Sequence, residues 1–138
     1  MKRGEGGIII CVCGMIGAGK SLYCAGKTGV VSDCDELDGK EKQLEFTLEN
    51  ELKSKKIYHI TCYPTQKERE IFKNMDVKYI WINTTYAQCR CNILQRGRER
   101  DLKNLDAALQ KNKDILELYL HSDIRFEVID IFQTNERW

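Results

Sequence analysis

The sequence predicts an α/β fold: a five-stranded parallel sheet with helices on both faces. Two observations carry this. Five short apolar runs, at residues 8–13, 30–32, 57–62, 77–82 and 126–132, have the length and β-branched or aromatic content of strands. Between them lie segments with helical periodicity or helix-start signals, and strands alternating with helices build parallel sheets covered on both sides. The 138 residues make one domain, and 42% hydrophobic content supplies a modest core.

Each element follows from local chemistry. Ile8 to Cys13 is apolar throughout, as a strand buried on both faces must be. A glycine-rich turn leads into Ser21-Leu22-Tyr23-Cys24-Ala25, the first turns of a helix. Gly26 to Gly29 is a turn, and Val30-Val31-Ser32 is a short strand that empties into the acidic stretch Asp33 to Asp38. Glu41 to Lys56 reads as one amphipathic helix, with Leu44, Leu48 and Leu52 as its apolar stripe. Ile57 to Cys62 is the third strand. Thr65 and Glu68 have capping-box spacing and open a helix to about Asn74, with Pro64 just before the cap. Val77 to Ile82 is the fourth strand, and Thr84 or Thr85 caps a helix that ends near Gln95. The stretch Arg96-Gly97-Arg98-Glu99-Arg100 interrupts, Leu105 to Leu120 is a long helix, and Phe126 to Phe132 is the fifth strand. The tail from Gln133 to Trp138 is polar and short.

The first turn carries the strongest signal. Gly14-Met15-Ile16-Gly17-Ala18-Gly19-Lys20-Ser21 has the pattern G-x-x-x-x-G-K-S, the Walker A motif, between a strand and a helix. A triphosphate needs many N–H donors close together, so the backbone must approach it with no Cβ in the way. Gly14, Gly17 and Gly19 permit that approach, and the helix start adds unpaired N–H groups and its positive dipole end. Lys20 is placed to reach the β- and γ-phosphates and Ser21 to hold Mg²⁺. All eight residues are therefore expected to bind nucleotide.

Ligands of parallel sheets sit at the carboxyl ends of the strands. The loop 14–21, the acidic stretch 33–38, and the segments 62–65 and 83–85 all fall at that edge. Asp33 and Asp35 are thus expected at the site, one as a proton acceptor or metal partner, although capping of the following turn is the simpler role for either. Arg96, Arg98 and Arg100 surround a glycine, and planar guanidinium groups pair bidentately with phosphate oxygens, so 95–103 is expected to be a lid rather than a solvated turn.

Composition excludes other classes. Lysine and arginine total 22 and aspartate and glutamate 21, a net charge of +1, which gives no general attraction to nucleic acid or anionic membrane. No apolar run nears the roughly 18 residues of a membrane span, and the run after the first glycines is too short for a signal sequence, so a cytoplasmic protein is expected. The seven cysteines, Cys11, Cys13, Cys24, Cys34, Cys62, Cys89 and Cys91, are odd in number and irregular in spacing, which fits free thiols better than disulfides or a structural metal. His59 and His121 read as a sheet histidine and a helix-end histidine, with no partners that suggest catalysis or metal binding.

Over nearly its whole length the chain resembles the P-loop kinases, and among them the small polynucleotide-kinase-like group. The stretches 13–21, 31–37, 63–70 and 90–98 carry the resemblance. It implies the strand order 2-3-1-4-5, an aspartate base at Asp35 with Asp33 in support, a lid whose arginines Arg96, Arg98 and Arg100 close over phosphates, and ATP with Mg²⁺. Two departures fall where an acceptor would be gripped: Ile60-Thr61-Cys62-Tyr63 lacks the family's strand-end aspartate and its asparagine, and Asp38 stands where an arginine is usual. The expected activity is transfer of the γ-phosphoryl group to a hydroxyl. Only residues 33–56 separate the second and third strands, which leaves little room for an acceptor subdomain and favours a small or end-on alcohol, such as the 5′-hydroxyl of a nucleic acid or a nucleoside. The alternative is a nucleotide-binding regulatory module, or slow NTPase, that kept the phosphate loop without an acceptor site.

Overall fold

The computed structural model describes residues 6–53 and 55–132; the tail 133–138 expected to be polar lies outside them. Strand β1 (Ile8–Cys13) leads to helix α1 (Lys20–Ala25), then β2 (Val30–Asp33), α2 (Lys40–Glu51), β3 (Lys56–Ile60), α3 (Gln66–Phe72), β4 (Val77–Ile82), α4 (Tyr86–Arg96), α5 (Glu99–Lys103), α6 (Leu105–Leu120) and β5 (Glu127–Ile129). The five strands form one parallel sheet in the order β2-β3-β1-β4-β5. That order is the one the resemblance implied. Its first crossover runs to one edge and the later ones return across the sheet, so right-handed connections put α1 on one face and the later helices on the other. Contacts agree. His59 of β3 meets Phe72 of α3 edge-on at 5.1 Å, and Trp81 of β4 stacks on Tyr119 of α6 at 4.0 Å. Tyr58, one residue along β3 and so on the opposite face, has its hydroxyl pushed up by burial and by Cys24 of α1.

The core follows the apolar strand runs. Ile9, Val12, Cys13, Trp81 and Ile82 are all buried. Cys11 and Cys13 lie 3.8 Å apart on one face of β1, and Cys89 is buried while Cys91 faces solvent, as the alternation of a strand and the turn of a helix require.

Helix α2 corrects the sequence reading in extent and in face. It ends at Glu51 rather than Lys56. Leu44 is buried, but Leu52 is 73% exposed, and the buried positions are Gln43, Leu44, Thr47 and Glu51. The inward face is polar because it answers polar groups on the sheet. Gln43 Nε2 donates to the carbonyls of Ser32 (2.9 Å) and Ile60 (2.7 Å), joining the ends of β2 and β3. Two more corrections are smaller. The strand β5 covers only Glu127–Ile129 of the expected 126–132, and the arginine-rich interruption contains a helix of its own, α5.

The altered face of α2 makes a test. Leu44→Ala is expected to lower unfolding free energy by about 2–4 kcal/mol, as truncation of buried leucines does. Leu52→Ala should change it by no more than about 0.5 kcal/mol. Urea denaturation of both variants measures the difference; equal losses would restore the leucine stripe as the packed face.

Candidate functional site

The loop Gly14 to Ser21 leaves β1 and enters α1 at Lys20, and side chains from two later helices and a strand-end loop hold it in place. Asn112 of α6, fully buried, accepts from the Ile16 N–H (2.6 Å) and donates to the Ile16 carbonyl (2.9 Å). Asn92 of α4 donates to the Gly17 carbonyl (2.8 Å), and Thr84 donates to the Ala18 carbonyl (2.7 Å). Gly17 (φ 84°) and Gly19 (φ 101°) adopt left-handed backbone, and a Cβ on Gly17 would lie 2.7 Å from the Cys89 carbonyl oxygen. Glycine is required there on both counts.

Lys20 folds back on its own loop. Its ammonium donates to the Gly14 carbonyl (2.8 Å) and the Met15 carbonyl (2.7 Å), with Cys62 Sγ at 3.8 Å. The eight loop residues therefore divide. Met15 is 1% exposed and belongs to the core. The Ile16 N–H is committed to Asn112 and the Ala18 N–H to the Met15 carbonyl (3.0 Å). Ile16, Gly17, Ala18, Gly19, Lys20 and Ser21 line a cleft of about 980 Å³.

That cleft gathers most of the residues singled out in the sequence. Beside the loop it is lined by Asp33 and Asp35 from the end of β2 and by Arg96, Arg98 and Arg100 from the α4–α5 segment. Asp33 and Asp35 have different surroundings. Asp33 caps the turn that follows β2: its Oδ1 accepts from the Asp35 N–H (3.1 Å) and its carbonyl from the Glu36 N–H (3.1 Å). Asp35 turns to the arginines. Arg100 donates from Nη1 to Asp35 Oδ1 (3.0 Å) and from Nη2 to Oδ2 (2.9 Å), and Arg98 Nη1 lies 3.8 Å from Oδ2. The hydrogen bonds from Arg100 hold the Asp35 carboxyl below its usual range against partial burial, and Lys20 adds in the same direction. Arg96 lies 3.7 Å from the buried Asp101. Burial and the neighbouring Arg98 both disfavour its charge.

A buried polar chain runs beneath the cleft from β2 to α3. Thr47 Oγ1 sits 2.7 Å from Ser32 Oγ and 2.8 Å from His59 Nδ1, and His59 Nε2 lies 2.6 Å from Glu68 Oε2. Lys40, on the cleft wall, donates to Glu68 Oε2 (2.9 Å) and Thr61 Oγ1 (3.2 Å). Glu68 also completes the capping box with Thr65, as its spacing implied. His59 is the buried sheet histidine the sequence led one to expect, and its ring nitrogens meet a hydroxyl and a carboxylate inside the fold. Burial pushes the His59 ring down from its ordinary value, outweighing Glu68. For Glu68 burial acts upward but is outweighed by His59, Lys40 and the Thr65 N–H, leaving the carboxyl at about 2.

The sequence reading missed Lys40, Asn92 and Asn112. Lys40 carries no signal beyond its place after Gly39. Asn112 does: it occupies the inward face of α6 between buried Ala108 and Ile115, where an apolar residue is the norm. Among the described residues no group of three or more His, Cys, Asp or Glu side chains could hold a metal ion, and no helix is long and apolar enough to cross a membrane. No protein-family model matches the chain, and no curated protein matches it significantly.

Proposed function

We propose that this chain is an ATP-dependent phosphotransferase, a P-loop kinase that passes the γ-phosphoryl group to the hydroxyl of a small or end-on acceptor. The observation that carries the reading is the meeting of a glycine loop with its lysine, an aspartate and three arginines on one cleft. Transfer of a phosphoryl group asks mainly for positioning and for stabilisation of spreading negative charge. Lys20 turns from its own carbonyls to the β- and γ-phosphates. Burial, Arg98 and Arg100 disfavour the charge of Arg96, a cost that phosphate oxygens relieve. Asp35 accepts the proton of the attacking hydroxyl.

Mg²⁺ fits what the site offers. It is a hard cation that keeps several waters and takes one or two protein oxygens beside the phosphates. Ser21 Oγ, at the exit of the loop, and Asp33, in the same cleft, supply such oxygens. When bound, the ion neutralises charge on the transferring group. The acceptor fits the small alcohols named from the sequence, a nucleoside or a nucleic-acid 5′ end, since the β2–β3 connection is one turn and one helix.

A second reading has its own support. The end of β3 offers Thr61 and Cys62 where a carboxylate is expected, and Asp35 is engaged by Arg100. This favours a nucleotide-binding regulatory module that lacks an acceptor. Turnover of ATP with and without a panel of hydroxyl compounds separates the two. Under the first reading Asp35→Asn keeps ATP binding and lowers acceptor phosphorylation by about 10²-fold, the usual loss of a general base. Phosphate released at one rate whatever alcohol is added, in both proteins, would decide for the second.

A further inference from the structure

Two groups assigned separate tasks are bound to each other. A base needs a free carboxylate, and a lid needs free guanidinium groups. Yet Arg100 grips both oxygens of Asp35, at 3.0 and 2.9 Å, and Arg98 stands 3.8 Å away. The planar fork of arginine matches a carboxylate and a phosphate equally well. Asp35 thus presents to Arg98 and Arg100 the same pair of oxygens that a phosphoryl group would.

We propose that Arg98 and Arg100 form an anion site whose resident ligand is Asp35, and that the terminal phosphates of a nucleoside triphosphate compete with Asp35 for it. The ligand class rests on the phosphotransfer reading; the latch itself does not. Exchange has two consequences. Phosphate draws α5 over the cleft, and Asp35 is released toward the acceptor hydroxyl. The base is masked until triphosphate arrives.

The surroundings permit such an exchange. The side chains of Arg100 and Asp35 are 58% and 48% exposed, so the pair is solvated and readily displaced by a multiply charged anion. Gly97, between α4 and α5, takes left-handed backbone (φ 62°) in open space, which makes a hinge at the root of the lid. On the other side Asp35 stands in a turn that ends in two further left-handed residues, Asp38 (φ 63°) and Gly39 (φ 118°). Asp35 is not fixed by a packed core, and among the described residues the other contact of Arg100 is a single one, from its Nε to Asp101 Oδ1 at 3.5 Å on its own helix.

Two measurements test the latch. The first needs no ligand: amide hydrogen exchange of residues 96–103 in the wild type and in Asp35→Asn. Release of the latch should speed exchange in that segment about 5-fold, the upper end for an exposed ion pair. The second is a double-mutant cycle on the affinity for Mg·ATPγS and for inorganic tripolyphosphate. Asp35→Asn should tighten both about 5-fold, and the gain should vanish in the Arg98→Ala, Arg100→Ala background. Unchanged exchange in Asp35→Asn overturns the latch. A gain that persists without the arginines also overturns it, since it would be plain repulsion between Asp35 and phosphate. Failure of the wild type to bind either anion overturns the phosphate reading and the competition with it, while the exchange experiment still decides whether Asp35 holds the lid.

Discussion

Lys20→Ala is expected to lower affinity for Mg·ATPγS by at least about 10²-fold and acceptor phosphorylation by about 10³-fold. The ammonium makes charge-assisted bonds, each worth about 1.5–3 kcal/mol when its partner is an anion, and 1.4 kcal/mol is tenfold. The rate falls further than the affinity because charge on the transferring group is greatest in the transition state. The fold should survive. Lys20 donates to the carbonyls of Gly14 and Met15 at the cleft wall, where water can replace it, while the loop stays clamped by Asn112, Asn92 and Thr84. Titration calorimetry and a thermal scan on the same sample separate the two effects. Unaltered affinity with an unaltered melting point would remove the loop from the ligand site.

Glu68→Ala is expected to cost about 3–5 kcal/mol of stability, since each polar group left without its partner costs about 1–3 kcal/mol. Against a total of about 5–15 kcal/mol that is a large share. Glu68 is fully buried and accepts from Lys40 and the Thr65 N–H, with His59 Nε2 2.6 Å away. Alanine strands all three and opens the capping box. The same residue sets an acid transition. Its carboxyl sits at about 2 in the folded chain against an ordinary 4.5. A lowered folded value means stability that is full above pH 4.5 and is lost as pH falls from there toward 2. His59, pushed below its ordinary 6.5 by burial, adds a loss that begins as pH drops under 6.5, since the unfolded chain binds that proton first. Melting temperature should therefore decline in two stages on acidification. In Glu68→Gln the stage below pH 4.5 should shrink, leaving the smaller loss from Asp35, whose carboxyl Arg100 also holds below its usual range. A wild-type melting curve flat from pH 7 to 3 would contradict the assignment of both groups.

Chain-local chemistry was legible in the sequence. Thr65 and Glu68 announced the start of α3, Thr85 that of α4, and the boundaries of β1, β4 and α6 followed from apolar runs. Helix α2 was read less well because its leucine stripe is buried only at Leu44, while Leu52 turns to solvent. Its true inner face is set by Ser32, His59 and Ile60, which lie on β2 and β3, and no property of residues 40–51 alone encodes that.

The site divides along the same line. Eight consecutive residues specify the glycine loop, because the left-handed turns and the close approach they allow are local properties of glycine. Alternation of strands and helices likewise placed the loop and the two aspartates at one edge, since parallel strands must all end on the same side; the arginines, which follow a helix, were assigned to a lid by their chemistry and by resemblance. What the sequence by itself determined was therefore the fold class, the loop and the place of the two aspartates beside it, while Lys40 and Asn92 of the cleft wall carried no such signal. Pairing was decided only by the tertiary structure. Asp35 and Arg100 lie 65 positions apart and Ile16 and Asn112 lie 96 apart. An ion pair or clamp depends on distances of about 3 Å, and such distances between remote residues exist only after the sheet has been assembled and the helices packed across it.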